Sequence, residues 1–271
     1  MKDIVMPAVR RAGAILLEHY GHVQGIRLKE SPASLVTDAD LASEASLLQT
    51  LREHFPHYNI LSEEAGYTDR QSRWTWVIDP LDGTSNFAAS VPWFGVMVSL
   101  LDGPRPVWAA MYLPVEDSFY IAESGGGAWR NGERVHVTAE TRLSHTLCAH
   151  SLDPRAEWEI TRQEVTFLGH LVRHARNVRC TNSLVDFTLT IDGRFGACVN
   201  HSAKLWDLAA PALLLREAGG VLTDVRGREI AFDLSPGGRL RSYRVMAAGR
   251  ALLGALVELS RASGLDQLTQ D

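Results

Sequence analysis

The sequence predicts an α+β fold, and three observations support this prediction. Near the N-terminus apolar residues recur at steps of three and four, which is typical of one helix face. Short apolar runs separated by turn residues fill the stretch 94–132 and predict an antiparallel sheet. From about residue 145 onward, longer strand-like and helix-like segments alternate. We therefore expect two subdomains, 1–144 and 145–271.

Composition excludes several classes of protein. The 271 residues are 45% hydrophobic and 22% charged, as expected for a globular chain with a sizeable core. The net charge of -5 argues against a nucleic acid as the main partner, but not against a small phosphate. Three cysteines without Cys-x-x-Cys spacing argue against a disulfide framework and predict buried thiols. No apolar stretch is long enough to span a membrane, so we expect a cytoplasmic protein without membrane contact.

Two helices are predicted in the first 55 residues. Gly21 ends the first, and Thr37 or Asp38 caps the second, which places Asp40 in its first turn. An aspartate there also favours the helix dipole without any further role. The predicted apolar face of the first helix comprises Val5, Val9, Ala12, Leu16 and Tyr20, and that of the second comprises Leu41, Ala45, Leu48 and Phe55.

A short strand at 60–62 leads into the paired acids Glu63 and Glu64. Paired glutamates usually form a solvated face of a protein. This pair, however, lies only 16 residues before Asp79 (79 minus 63), so a neighbouring strand can carry it to the same place.

The stretch 74–87 carries the strongest chemical signal. A buried apolar strand ends at Asp79 and Asp82, which a turn started by Pro80 brings together. Two close carboxylates repel each other unless a proton or a cation lies between them, and their oxygen atoms suit Mg²⁺. Gly83 and the hydroxyl-bearing residues after it predict a helix entry whose N–H groups bind phosphate. Taken alone, the motif is also compatible with a surface turn.

The remaining elements follow in order. The strands of the meander are expected at 94–101, 107–113 and 119–122, and the glycine run 125–127 is interpreted as a turn because it lacks nucleotide-loop spacing. In the second half we expect a helix at 154–174, a helix ended by Asp192 and Gly193, a strand at 195–199, and a helix from Lys204 to Gly219.

Four motifs in this order resemble those of the inositol monophosphatase family. They are Lys29 with Leu-Val-Thr-Asp-Ala-Asp at 35–40, the pair Glu63-Glu64, Asp-Pro-Leu-Asp-Gly-Thr-Ser-Asn-Phe at 79–87, and Trp-Asp-Leu-Ala-Ala through Glu-Ala-Gly-Gly at 206–220. The resemblance covers nearly the whole chain. It implies a layered α-β-α-β-α sandwich of the inositol monophosphatase and fructose-1,6-bisphosphatase type.

The resemblance also implies a reaction, namely the hydrolysis of a small phosphorylated metabolite by a water molecule that two or three Mg²⁺ ions activate. It further implies that lithium inhibits this reaction and that the protein is a homodimer. The implied metal ligands are Glu63, Asp79, Leu81 through its carbonyl group, Asp82 and Asp207. The implied catalytic residues are Lys29, Asp40, Glu63, Glu64 and Thr84. The implied substrate contacts are Gly83, Thr84, Ser85, Ser183, Asn200 and Asp207.

Two departures from the family pattern leave the substrate open. Asn200 stands where inositol phosphatases usually carry glutamate, and Asn182 stands where glycine is commoner. An inositol-type substrate, histidinol phosphate, fructose 1,6-bisphosphate and 3'-phosphoadenosine 5'-phosphate all remain candidates, although Ser85-Asn86 resembles the inositol branch. A non-catalytic regulatory protein that retains the fold is a further alternative. Motifs of serine hydrolases, Walker-type nucleoside triphosphatases and zincins are absent from the sequence.

Overall fold

The structure is a computed structural model that describes residues 1–28 and 35–268. The helices in these ranges are α1 (Lys2–His19), α2 (Asp38–His54), α3 (Thr84–Ala88), α4 (Trp158–His174), α5 (Leu184–Ile191), α6 (Leu205–Glu217) and α7 (Arg250–Ser263). Strands of the first half are β1 (Arg27–Leu28), β2 (Leu35–Val36), β3 (Asn59–Ser62), β4 (Gly66–Thr68), β5 (Trp74–Asp82), β6 (Gly95–Asp102), β7 (Arg105–Leu113), β8 (Ser118–Glu123), β9 (Ala128–Arg130) and β10 (Glu133–Val135). Those of the second half are β11 (Leu147–His150), β12 (Asn177–Arg179), β13 (Phe195–Ala203), β14 (Gly220–Asp224) and β15 (Tyr243–Gly249).

Two large sheets organise the fold. The first has the strand order β10-β9-β8-β7-β6-β5-β3-β4, in which only the β3–β5 pair is parallel. The second has the order β12-β11-β13-β15-β14, with β11 parallel to both of its neighbours and β15 antiparallel to both of its own. Strands β1 and β2 form a small separate ribbon.

Helices cover both faces of each sheet. Helices α1 and α2 pack on the outer face of the first sheet, α5 and α6 lie between the sheets, and α4 and α7 cover the second sheet. Each outer interface encloses its own cluster of buried apolar side chains, and a third cluster fills both interfaces of the middle helices, because a sheet and a helix bury apolar faces against each other. The order of layers is therefore α-β-α-β-α, which confirms the predicted fold class.

Several local predictions are confirmed. Val5, Val9, Ala12 and Leu16 of α1 are fully buried. Thr37 is the N-cap of α2. The strands and turns of the meander follow the predicted order, including the turn at 125–127. The division of the chain near residue 145 into two subdomains remains a prediction, although the first sheet ends at Val135 and the second begins at Leu147.

Among the described residues, no helix combines the length and apolar character that crossing a lipid bilayer requires.

The predicted apolar face of α2 is correct for Leu48, which is buried, and for Phe55, which packs against the core, but it is wrong for two positions. Leu41 and Ala45 are exposed, and the helix instead buries the side that carries Ser43, Glu44 and Leu47. The reason is that Ser43 donates a buried hydrogen bond to the carbonyl oxygen of Pro80 within β5, and Glu44 accepts one from the hydroxyl of Ser62 at the end of β3. Polar contacts thus set the rotation of this helix, and apolar periodicity alone does not reveal them.

Three smaller predictions also need correction. The predicted turn at Pro80 is a register shift inside β5, which continues to Asp82 because it still pairs with Gly95 of β6. Helix α4 begins at Trp158 and not at residue 154, since Arg155 lies before the helix and bonds to the carbonyl oxygen of His201 at 2.7 Å. Cys148 and Cys198 are buried as predicted, whereas Cys180 is exposed.

Candidate active site

Three aspartates from distant parts of the sequence meet at one place. Asp79 and Asp82 lie at the end of β5, and Asp207 lies in the first turn of α6. Each offers one carboxylate oxygen, and these three oxygens lie within 4.8 Å of one another. The layered fold creates this cluster, because α6 packs against the first sheet with its N-terminus at the end of β5.

The cluster is electrostatically costly without a cation. Burial, and after it the charges of neighbouring carboxylates, raises the pKa of Asp79 and Asp207 well above the usual range. Burial raises the pKa of Asp82 to about 7, and the charge of Glu63 adds to this effect. The charge of Glu63 raises the pKa of all three aspartates, so Glu63 lies near the cluster. Such a set of hard oxygen donors fits a divalent cation such as Mg²⁺.

Backbone N–H groups hold these carboxylates in position. Asp79 accepts a hydrogen bond from the N–H of Leu81 at 3.1 Å, and Asp207 accepts one from the N–H of Lys204 at 2.7 Å. Asp82 accepts one from the N–H of Leu184, the first residue of α5. Each carboxylate has about four lone-pair directions, so one such bond orients it and leaves acceptor capacity toward the centre of the cluster.

Asp40 and Thr84 form a pair beside the cluster. Asp40 is buried, and its Oδ2 accepts hydrogen bonds from the N–H and hydroxyl groups of Thr37 at 2.8 and 2.5 Å. The hydroxyl of Thr84 lies 3.3 Å from Asp40 Oδ1 and 3.0 Å from the carbonyl oxygen of Leu81. Since a hydroxyl has one proton and two lone pairs, Thr84 can donate to Asp40 and accept from another group.

Glu44 is a site residue that the sequence interpretation missed. Its Oε1 accepts hydrogen bonds from the hydroxyl of Ser62 at 2.5 Å and from the N–H groups of Glu64 and Ala65 at 3.2 and 2.8 Å. These bonds fix the loop that carries Glu63. Glu44 lies four residues after Asp40 in α2, so both occupy one helix face, and this spacing was the available signal.

Gly83 allows a close approach of three segments. It has a φ of 81° and is the N-cap of α3. A Cβ atom there would lie 2.5 Å from the carbonyl oxygen of Trp93 and 3.2 Å from Cβ of Ser183. Ser183 itself caps α5 and accepts from the N–H of Val185 at 3.3 Å. The structure therefore places Ser183 directly beside the predicted phosphate loop.

A polar chain connects the two positions that depart from the family pattern. Asn200 Oδ1 accepts from the N–H of Ser202 at 2.9 Å, and the hydroxyl of Ser202 donates to Asp153. The other oxygen of Asp153 accepts from Nδ2 of Asn182 at 2.9 Å. Asp153 lies near the cluster, since its charge raises the pKa of Asp82 and Asp207. No motif in the sequence marks Asp153, because only the fold brings it between Asn182 and Asn200.

A second buried acid behind the cluster was also missed. Asp186 in α5 is buried, and burial raises its pKa to about 6. Ser151 Oγ donates to its Oδ2 at 3.3 Å, and its charge contributes to the raised pKa of Asp82. Asp186 therefore adds to the repulsion between carboxylates that a bound cation would relieve.

The remaining predicted residues are placed as follows. Ser85 is exposed in the first turn of α3, and Glu64 is half-buried directly after Glu63. Asn200 lies in β13, half-buried, next to the polar chain described above. Lys29 lies outside the described residues. The roles of all predicted site residues as ligands or catalysts remain predictions.

Comparison with known proteins agrees with the layered fold. The model of the inositol monophosphatase family matches residues 1–265, and the chain belongs to this family. It is 32% identical over 232 residues to a protein of Escherichia coli strain K12 named Nus factor SuhB, covering 84% of this chain and 86% of that protein. It is 30% identical over 222 residues to the fructose-1,6-bisphosphatase/inositol-1-monophosphatase of Aquifex aeolicus, with 82% and 84% covered.

A solved structure supports the same assignment of fold. The extragenic suppressor protein suhB of Bartonella henselae superposes with a TM-score of 0.84 at 26% identity, over 96% of this chain and 97% of that one. The agreement over nearly the full length of both chains shows that the whole layered architecture is shared.

Proposed function

We propose that the protein is a Mg²⁺-dependent phosphomonoesterase that hydrolyses a small polyol or sugar-like phosphate. The observation that carries the proposal is the cluster of Asp79, Asp82 and Asp207, whose oxygens lie within 4.8 Å of one another. With Glu63 nearby, four carboxylates are available next to the predicted phosphate-binding loop at the start of α3. Membership of the inositol monophosphatase family supports phosphatase chemistry at this place.

The proposed ligands of the cation are Glu63, Asp79, Asp82, Asp207 and the carbonyl oxygen of Leu81. When bound, Mg²⁺ ions supply a water molecule of lowered pKa and charge stabilisation for the leaving oxygen. In this proposal Thr84 donates its single hydroxyl proton to Asp40 and not to the Leu81 carbonyl oxygen, which would bind the cation, and its lone pairs orient the water. The N–H groups of Gly83 and Thr84 hold phosphate oxygens at the start of α3, and Glu44 keeps the Glu63 loop in place.

The direct test is a phosphate-release assay on a panel of phosphomonoesters. We expect turnover with Mg²⁺, loss of turnover in excess chelator, failure of Ca²⁺ to replace Mg²⁺, and inhibition by Li⁺. Ca²⁺ should fail because it prefers longer bonds and more ligands than Mg²⁺. Turnover that is insensitive to Li⁺ at ordinary Mg²⁺ concentration would separate the protein from the inositol-type branch. No turnover of any substrate would contradict the proposal as a whole.

Substrate choice is proposed to depend on the polar chain between Asn182 and Asn200. We expect Asn200→Glu to change the ranking of substrates by roughly 10-fold in relative kcat/KM, since hydrogen bonds made by a site discriminate strongly. Mg²⁺ dependence should stay the same, because Asn200 is not among the clustered acids. The measurement is kcat/KM for inositol 1-phosphate, histidinol phosphate and fructose 1,6-bisphosphate.

A companion variant, Asp153→Asn, keeps the shape of this region and removes its charge. It should also alter the ranking, because Asp153 bonds to both Asn182 and Ser202. If both variants preserve the wild-type ranking, the polar chain does not contact the substrate, and the reason for questioning an inositol phosphate disappears.

The names of the relatives favour a second candidate function. Several of them, including the Escherichia coli protein, are named Nus factor SuhB, which is compatible with a regulatory role that does not need catalysis. The complete set of acids in this chain weighs against a purely non-catalytic protein, since such a protein has no need to keep a buried like-charged cluster. The phosphate-release assay separates the two candidates.

A further inference from the structure

A cleft lies at the opposite end of α6 from the acidic cluster. Its volume is about 330 Å³, and it is formed by the turn between β6 and β7, the end of α6, the strand β14 and the segment 229–232. Helix α6 begins near Asp207 and lines this cleft with Ala212 and Arg216, five and nine residues later, which corresponds to roughly 8 and 14 Å along a helix. The cleft is therefore separate from the candidate active site.

The lining of the cleft is positively charged although the chain as a whole is negative. Arg105, Arg216 and Arg250 contribute guanidinium groups from three different elements, against the single carboxylate of Glu229. Formal charges on the lining thus sum to about +2, counting three arginines and one glutamate at neutral pH, while the chain has a net charge of -5. An anion is consequently the favoured kind of ligand at this place.

Two of these arginines are not engaged by the protein. Among residues 1–28 and 35–268, the guanidinium groups of Arg105 and Arg250 have no hydrogen-bond or ion-pair partner. Arg216, in contrast, forms an ion pair with Glu217 at 3.7 Å and donates to the carbonyl oxygen of Pro106 at 3.2 Å and to Ser124 Oγ at 3.3 Å. Arg216 thereby ties the end of α6 to the β6–β7 turn, and the other two guanidinium groups retain their donors for a ligand.

The rest of the lining is largely apolar. Pro106, Leu222 and Phe232 are buried residues that form part of the wall. Small-molecule sites commonly combine such apolar walls with a few charged groups, and this volume lies at the lower end of their range. Guanidinium groups bind carboxylate, sulfonate and phosphate oxygens with paired hydrogen bonds. We propose that this cleft binds a small organic anion that joins an oxyanion group to a compact apolar body.

The proposal is tested by calorimetric titration of the full chain with naphthalene-1-sulfonate. This probe carries an oxyanion on an apolar ring system and cannot be hydrolysed by a phosphatase. Chelator is present throughout, so that no cation in the acidic cluster attracts the probe. We expect saturable binding at one site per chain, and this result does not depend on the proposed phosphatase activity.

Three variants locate the binding. The double variant Arg105→Gln with Arg250→Gln should weaken binding by roughly 10-fold or more, since charge-assisted hydrogen bonds are lost. Ala231→Trp should weaken it similarly by filling the cleft, of which Ala231 forms part. Arg52→Gln, an exposed arginine of α2, is the matched control and should bind as the wild type does.

Other outcomes overturn the proposal. Absence of saturable binding to the wild type would do so, as would equal affinity of the double variant and the wild type. Weakening by the arginine variants without any effect of Ala231→Trp would place the probe outside the cleft. Weakening by Arg52→Gln to the same degree would show unspecific attraction to exposed positive charge.

Discussion

Asp82→Asn is expected to lower phosphate release by roughly 10²-fold or more, because the cation and the water that it activates carry the chemistry. The substitution keeps the size of the side chain and an oxygen that can accept from the N–H of Leu184. It removes one negative charge from the cluster with Asp79 and Asp207. The initial rate, measured as a function of Mg²⁺ concentration, should fall and require more Mg²⁺ for half of its maximum.

A stability measurement separates this effect from misfolding. Without Mg²⁺, Asp82→Asn should unfold at the same temperature as the wild type or at a higher one, since burial and repulsion raise the pKa of Asp82 to about 7 and the amide lacks that charge. Asp3→Asn, in the first turn of α1, is the control variant and should retain the full rate. Full wild-type activity in excess chelator would refute the metal-dependent mechanism, whatever the variant does.

Gly83→Ala is expected to have the second largest effect. The backbone at Gly83 has a φ of 81°, where an L-residue loses about 1–2 kcal/mol. The added Cβ would also lie 2.5 Å from the carbonyl oxygen of Trp93, so a backbone segment has to move. Because displacement of binding groups by about 1 Å can cost roughly 10² in rate, we expect a loss of this size in kcat/KM.

Gly103→Ala is the matched control for that experiment. Gly103 has a φ of 56°, but no atom lies within 4 Å of its added Cβ. It should therefore show the conformational cost in its thermal unfolding and leave kcat/KM unchanged. If Gly83→Ala and Gly103→Ala have the same kcat/KM, close packing at Gly83 does not position the candidate active site.

Local sequence patterns predicted most of the elements that carry the site. The apolar spacing in α1, the short strand before Glu63 and the helix that contains Asp207 were each visible in stretches of fewer than twenty residues. Periodicity failed for part of α2, where Leu48 is buried as predicted but Leu41 is exposed and Glu44 is buried. There, the buried side of the helix also carries Ser43 and Glu44, which hydrogen-bond to residues 37 and 18 positions away in sequence.

The sequence by itself determined the fold class, the family and the set of acids at residues 63, 79, 82 and 207, because helix, strand and turn signals are local and the motifs are contiguous. Only the tertiary structure decided which side chains surround those acids. Glu44, Asp153 and Asp186 enter the site through contacts between α2, the segment after β11, and α5. Such contacts depend on how the layers pack residues that are far apart in the sequence. The residue type alone does not show whether a carboxylate is buried or exposed.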